Sequence, residues 1–133
     1  MSGETARLAT ATPILRVNEL AASVAYYTKI LGFKVDWESG GAFCSLSRDR
    51  CNLFLCEGGQ GHGGTWVWTG TNDADRLYAE WVASGAKILT KPTNYPWGSR
   101  EVHVMDLDGH VLRFASDATG EDYGEFPADR TES

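Results

Sequence analysis

The sequence predicts an α+β fold made of two tandem βαβββ modules. Three observations carry this. Short apolar runs with period two dominate the chain, and only two stretches show helical spacing. Each helical stretch lies between one strand and three further strands, so one pattern occurs twice. With 133 residues, 42% of them hydrophobic, the chain is sized for one compact domain with a real core.

The elements follow in order. "TATPILRV" (10–17) reads as a strand, with Pro13 near its start, where a ladder donor can be spared. Asn18 stands where a helix N-cap is expected. Leu20, Val24, Tyr27 and Leu31 then share a helix face, and Gly32 stops the helix. "FKVDW" (33–37), "AFCSLS" (42–47) and "NLFLC" (52–56) read as strands, separated by Gly40-Gly41 and "RDRC" turns. "EGGQGHGG" (57–64) reads as a flexible connector. It lacks the GK[ST] and following helix that a phosphate loop needs.

The second module repeats the first. "TWVWTGT" (65–71) is a strand, and Asn72 or Asp73 caps a helix that places Ala74, Leu77, Tyr78, Trp81 and Val82 on one face. Gly85 ends it. "KILTK" (87–91), "REVHVMD" (100–106) and "HVLRFAS" (110–116) complete the set. The expected organisation is one domain over 1–133, with module one at about 10–57, module two at about 65–116 and a loose acidic tail at 117–133. The modules are expected to pack as a pair, because neither alone covers its sheet.

Charge and cysteine usage narrow the function. The net charge is −6, and the tail alone holds six acids against Arg130. That leaves −1 on residues 1–116, a balance that speaks against nucleic acid as a partner. No run approaches the roughly 18 apolar residues of a membrane span. The opening "MSGETARLATATP" has no apolar signal core, so the expected location is cytoplasmic. Cys44, Cys51 and Cys56 form no CxxC pair and sit in strand-like runs, which reads as buried free thiols.

The strand-to-helix joint "ILRVNELAASVAYYTKILGFKV" and the closing hairpin "DLDGHVLRF" resemble the vicinal oxygen chelate superfamily of glyoxalases, extradiol dioxygenases and antibiotic-resistance proteins. The likeness covers roughly residues 10–116. It implies curved mixed sheets around a concave cavity. Enzymes of that superfamily hold a divalent metal with His and Glu from four strands. Carried over position by position, those ligands fall at Thr12, Trp66 and Arg113, with the fourth near Phe54 and Glu57 past the strand end. None of the first three is a His or Glu ligand, and Arg113 is itself a cation. His62 lies in the glycine connector, and His103 and His110 have no partner at ligand spacing. The expectation is no metal, no cofactor and no catalytic residue.

"WVWTGTNDADRLYAEW" (66–81) and "PWGSREVHVMDLDGHVLRF" (96–114) are similar to the corresponding segments of bleomycin-resistance proteins, with one residue, Ser99, added between Gly98 and Arg100. Those are non-enzymatic dimers that hold the drug in grooves between subunits. The resemblance implies a cytoplasmic homodimer that sequesters a bleomycin-type cationic aromatic antibiotic. It places Asp36, Trp37, Trp66 and Trp97 on groove positions, with Phe43 close to another. The residue types suit such a ligand, since aromatic faces stack flat rings and carboxylates attract a cationic tail. Glu38 beside Trp37, and Trp68 on the same strand face as Trp66, extend the candidate set. Trp97, in a loop after Pro96, is a poor core candidate. Trp81 and Tyr78 belong to the helix stripe and read as core. The alternatives are a glyoxalase-like or dioxygenase-like metalloenzyme with unconventional ligands, and a binder of some other aromatic metabolite.

Overall fold

A computed structural model of the chain describes residues 5–118. It contains two mixed four-stranded sheets. The first module supplies β1 (Ile14–Val17), β2 (Lys34–Ser39), β3 (Phe43–Arg48) and β4 (Cys51–Glu57), in the order β1-β4-β3-β2. The second supplies β5 (Trp66–Gly70), β6 (Lys87–Asn94), β7 (Ser99–Met105) and β8 (Val111–Asp117), in the matching order β5-β8-β7-β6. In each sheet the first strand pairs parallel to the last, and the other pairings are antiparallel. The expected βαβββ repeat is therefore present. Pro92 lies within β6, at the sheet edge, where a missing donor costs no ladder bond.

One helical stretch belongs to each module. α1 (Leu20–Ala25) runs into a π-helical turn (Tyr26–Ile30), closed by the Leu31 amide donating to the Tyr26 carbonyl at 3.1 Å. Asn18 does not cap α1, contrary to the sequence expectation. Its backbone amide donates to Asp108, while the Leu20 amide is met by the Glu57 carboxylate at 2.8 Å. Glu57 thus caps α1 from the end of β4. The second helix, α2 (Ala74–Ser84), carries the expected Asp73 cap, with the side chain accepting from the Arg76 amide, and ends at Gly85 with φ +90°. Val82 is a correction to the stripe: it is 53% exposed, while Trp81 is fully buried. A helix turns 100° per residue, and Trp81 takes the centre of the buried face, leaving Val82 beyond its margin.

The core lies between the helices and the inward faces of both sheets. Leu15, Val17, Leu46, Leu53 and Leu55 from the first module join Trp81, Val102, Val104, Leu112 and Phe114 from the second in one cluster. Polar contacts fasten the modules. Tyr27 donates to Asp106 at 2.8 Å, Tyr26 donates to the Met105 carbonyl at 2.6 Å, and the Trp81 indole donates to the Leu31 carbonyl at 3.3 Å. His110 is buried and structural. Its Nδ1 accepts from the Thr65 amide, so Nε2 carries the proton and donates to the Arg16 carbonyl at 2.6 Å. Cys44 and Cys56 are buried and Cys51 is half-buried; all three are free thiols.

The tail beyond Ala118 lies outside the described residues. Among the described residues, no helix is long and apolar enough to cross a membrane.

Candidate functional site

Each sheet turns one face to the core and leaves the other open. Strand alternation decides which side chains reach the open face. On the second sheet, Val67, Val102, Val104, Leu112 and Phe114 point inward, so Trp66, Trp68, Ser99, Glu101, His103, Arg113, Ala115 and Asp117 share the outer face. Trp66 and Trp68 are 56% and 60% exposed. Trp68 stands across from Arg113 in the β5–β8 register, and His103 stands across from Arg113 in the β7–β8 register. Trp66 meets the His103 ring edge-on, with centroids 6.4 Å apart.

Glu101 organises this face, and sequence reading missed it. The residue is fully buried and accepts five hydrogen bonds. Arg113 donates through Nε (2.9 Å) and Nη2 (2.6 Å) to Oε1, and His103 Nε2 lies 2.9 Å from the same oxygen. Ser99 donates to Oε2 at 2.7 Å and the Trp97 indole at 3.2 Å. Burial would raise this carboxyl's pKa, but the donors from His103, Ser99, Arg113 and Trp97 outweigh it and hold Glu101 well below the usual carboxylate range. His103, read from the sequence as having no partner at ligand spacing, thus has a carboxylate neighbour. Glu101 sits two residues away on the same strand face.

Trp97 lies in the β6–β7 loop and is 51% exposed, yet its position is fixed. One indole face stacks on Tyr95 at 4.7 Å and 8°, and Tyr95 stacks in turn near His103 at 6.0 Å and 4°. Trp68, Trp97 and Asp117 line one open cleft of about 700 Å³ with Ala115 in its wall. Two other carboxylates of that cleft are engaged, Asp73 as the α2 cap and Asp75 on Arg100 at 2.8 Å. Asp117 has no such partner among the described residues, and it too was absent from the sequence-based candidates.

The first sheet carries a second aromatic group. Trp37, 46% exposed, stacks on Phe43 at 5.8 Å and 22°, and Phe54 closes the group at 5.5 Å from Trp37. A β-bulge between Val35 and Trp37 sets Asp36 and Trp37 on the same open side. Asp36 accepts from Ser47 at 2.8 Å and Ser45 at 3.2 Å and lies 3.3 Å from Lys34. The Ser47 hydroxyl contributes most to keeping its pKa low. Glu38 pairs instead with Cys44, whose side chain faces the core. It points away from Trp37 and does not join that group. The candidate residues thus form two groups, one per sheet.

A metal does not fit either group. The Thr12 hydroxyl donates to Asn52, Phe54 belongs to the aromatic group, and Arg113 sets a cation against Glu101. Glu57 is spent on capping α1. Among the described residues, no group of three or more His, Cys, Asp or Glu is placed to hold a metal ion.

The family model of the glyoxalase/bleomycin resistance protein/dioxygenase superfamily matches residues 7–114. The chain belongs to this superfamily. A search of curated proteins gives no match. Solved structures of similar fold include the bleomycin-binding protein of Streptomyces verticillus in complex with copper(II)-bleomycin, at 23% identity and TM-score 0.70, covering 86% of this chain and 100% of that one. The bleomycin resistance determinant encoded on transposon Tn5 is 20% identical with TM-score 0.72, covering 84% and 100%. TioX from Micromonospora sp. ML1 is 21% identical with TM-score 0.70, covering 85% and 99%. At these identities the superfamily likeness speaks for the fold.

Proposed function

We infer that this superfamily member is a metal-free binding protein that sequesters a planar aromatic ligand of the bleomycin type without chemical conversion. The observation that carries this is the open face of the second sheet. Three tryptophans there stay half exposed, and one of them, Trp97, is held by a hydrogen bond and a stacked tyrosine. Exposed rings held in place offer stacking area at little conformational cost. The likeness in fold to two proteins of bleomycin binding and resistance supports the ligand class.

In this reading Trp66, Trp68 and Trp97 form one wall, and Trp37 and Phe43 form another with Asp36 beside them. The two walls sit on different sheets, and a cytoplasmic homodimer would bring one protomer's first sheet against its partner's second. Pairing across a two-fold axis would also cover the exposed Ile14 and tryptophans. The cationic part of the ligand is drawn by Asp36 and Asp117.

The test is a fluorescence titration. Metal-free and copper-loaded bleomycin should each change the tryptophan emission with saturable binding at one ligand per groove. Light scattering should give a dimer at micromolar protein. No saturable change with either form removes the bleomycin assignment, and a monomer removes the groove between subunits.

A further inference from the structure

We propose that Arg113 is a recognition group for an uncharged planar oxygen acceptor, of the amide-carbonyl kind, on a ligand whose ring lies against Trp66 and Trp68. This rests on reading the open face as the ligand face, and it goes on to say what the ligand carries.

The guanidinium has five N–H groups. Two of them, on Nε and Nη2, are spent on Glu101 Oε1. Among the described residues, no hydrogen bond engages Nη1. Among the described residues no buried side-chain nitrogen or oxygen lacks a hydrogen-bond partner. Nη1 therefore reaches solvent, and strand register puts the Arg113 side chain on the open face, where it is partly exposed. There Trp68 stands level with it on β5, Trp66 lies two residues along on the same face, and His103 stands level on β7. The outward donors thus sit among aromatic rings.

Charge chooses the acceptor. Glu101 is fully buried behind Arg113 and cancels its charge. The pair presents directed N–H groups with no net charge. A full anion gains little there, because the Glu101 carboxylate opposes it through a poorly polarisable interior. A cation meets donors and no acceptor. A neutral carbonyl pays a small desolvation cost and finds a donor whose direction the Glu101 fork already fixes.

The test uses two probes with one ring, 2-naphthamide and 2-naphthylmethylammonium, followed by tryptophan fluorescence. Arg113 alone cannot be deleted safely, since Glu101 would be left as an unpaired buried charge. The double variant Glu101→Gln/Arg113→Met removes the charges together, and Arg113→Lys keeps the charge but loses the fork. In both, the naphthamide dissociation constant should rise about ten-fold or more, as expected for loss of a hydrogen bond to a charged donor. The ammonium probe should change by less than about three-fold in either variant. Equal loss of both probes, no loss of naphthamide affinity, or no naphthamide binding to the wild-type protein overturns the proposal. Bleomycin titrated alongside separates the two readings. If bleomycin binds and naphthamide does not, the Arg113 role falls alone. If naphthamide binds selectively and bleomycin does not, the drug assignment falls alone.

Discussion

Arg113 and Glu101 form a two-point ion pair on the open face of the second sheet, with contacts of 2.9 and 2.6 Å to a carboxylate that has no solvent exposure. The pair gathers Trp97 and His103 around one acid.

The Glu101 carboxyl titrates well below its unfolded value, so the folded state binds its proton more weakly than the unfolded state. Its contribution to stability is fully present above the unfolded pKa of about 4.3 and is lost as pH falls below it. Glu101→Gln should cost about 3–5 kcal/mol at pH 7, as when one partner of a buried pair is removed. The variant's stability should also fall less steeply between pH 6 and pH 3. Urea melts of both proteins across that range check it. Asp36 and Asp75 are shifted in the same direction, so the difference between the two proteins is the readout.

Tyr27→Phe should loosen the module junction. The Tyr27 hydroxyl is buried and donates to Asp106 Oδ2, while Oδ1 takes the amides of Asp108 and His110. Losing that donor leaves Oδ2 short of a partner and should cost about 1–3 kcal/mol. Thermal melting should remain a single transition at lower temperature. An unchanged melting temperature contradicts the assignment.

Asp36→Asn should weaken a cationic aromatic ligand more at low salt than at high salt, because partly exposed charge pairs are screened. Lys34, 3.3 Å away, offsets some of the Asp36 charge. Lys34→Ala should therefore strengthen cation binding at low salt, in the opposite direction. Bleomycin titrations of both variants at two ionic strengths check the pair of signs.

Much of the fold was legible in the sequence, because it rests on local patterns. Gly32 and Gly85 end the helical stretches with positive φ, Asp73 caps α2, and period-two runs mark the strands. The tryptophans were legible as candidates for the same reason: alternation puts Trp66 and Trp68 on one face, and Pro96 and Gly98 put Trp97 in a loop. Glu101 was not legible. In "REVHVMD" it looks like the solvent-facing residue of an alternating strand. Only the β7–β8 register, which sets Arg113 across from His103, makes it the hub of the face. Glu57 was missed as a cap of α1 because its partner Leu20 lies in an element brought near by sheet pairing. Glu38 lies next to Trp37 in sequence but on the opposite face by alternation, and the bulge at Asp36 leaves Asp36, not Glu38, on the Trp37 side. The π-helical turn at Tyr26–Ile30 left no pattern in the sequence that distinguishes it from α-helix.

The central claim is that the exposed tryptophans serve binding and not packing, and bleomycin titration of Trp97→Ala tests it most directly. Trp97 is half exposed in a loop, and the Glu101 Oε2 it donates to keeps Ser99 as a donor, so the variant should melt close to the wild-type temperature. Trp81→Ala is the packing control. Trp81 is fully buried against Phe114, and its loss should cost about 3–5 kcal/mol of stability. A stacked ring contributes about 1–3 kcal/mol, so Trp97→Ala should bind bleomycin roughly ten-fold more weakly or worse while staying folded. A Trp97→Ala protein that binds bleomycin as tightly as wild type, or that unfolds as Trp81→Ala is expected to, contradicts the account.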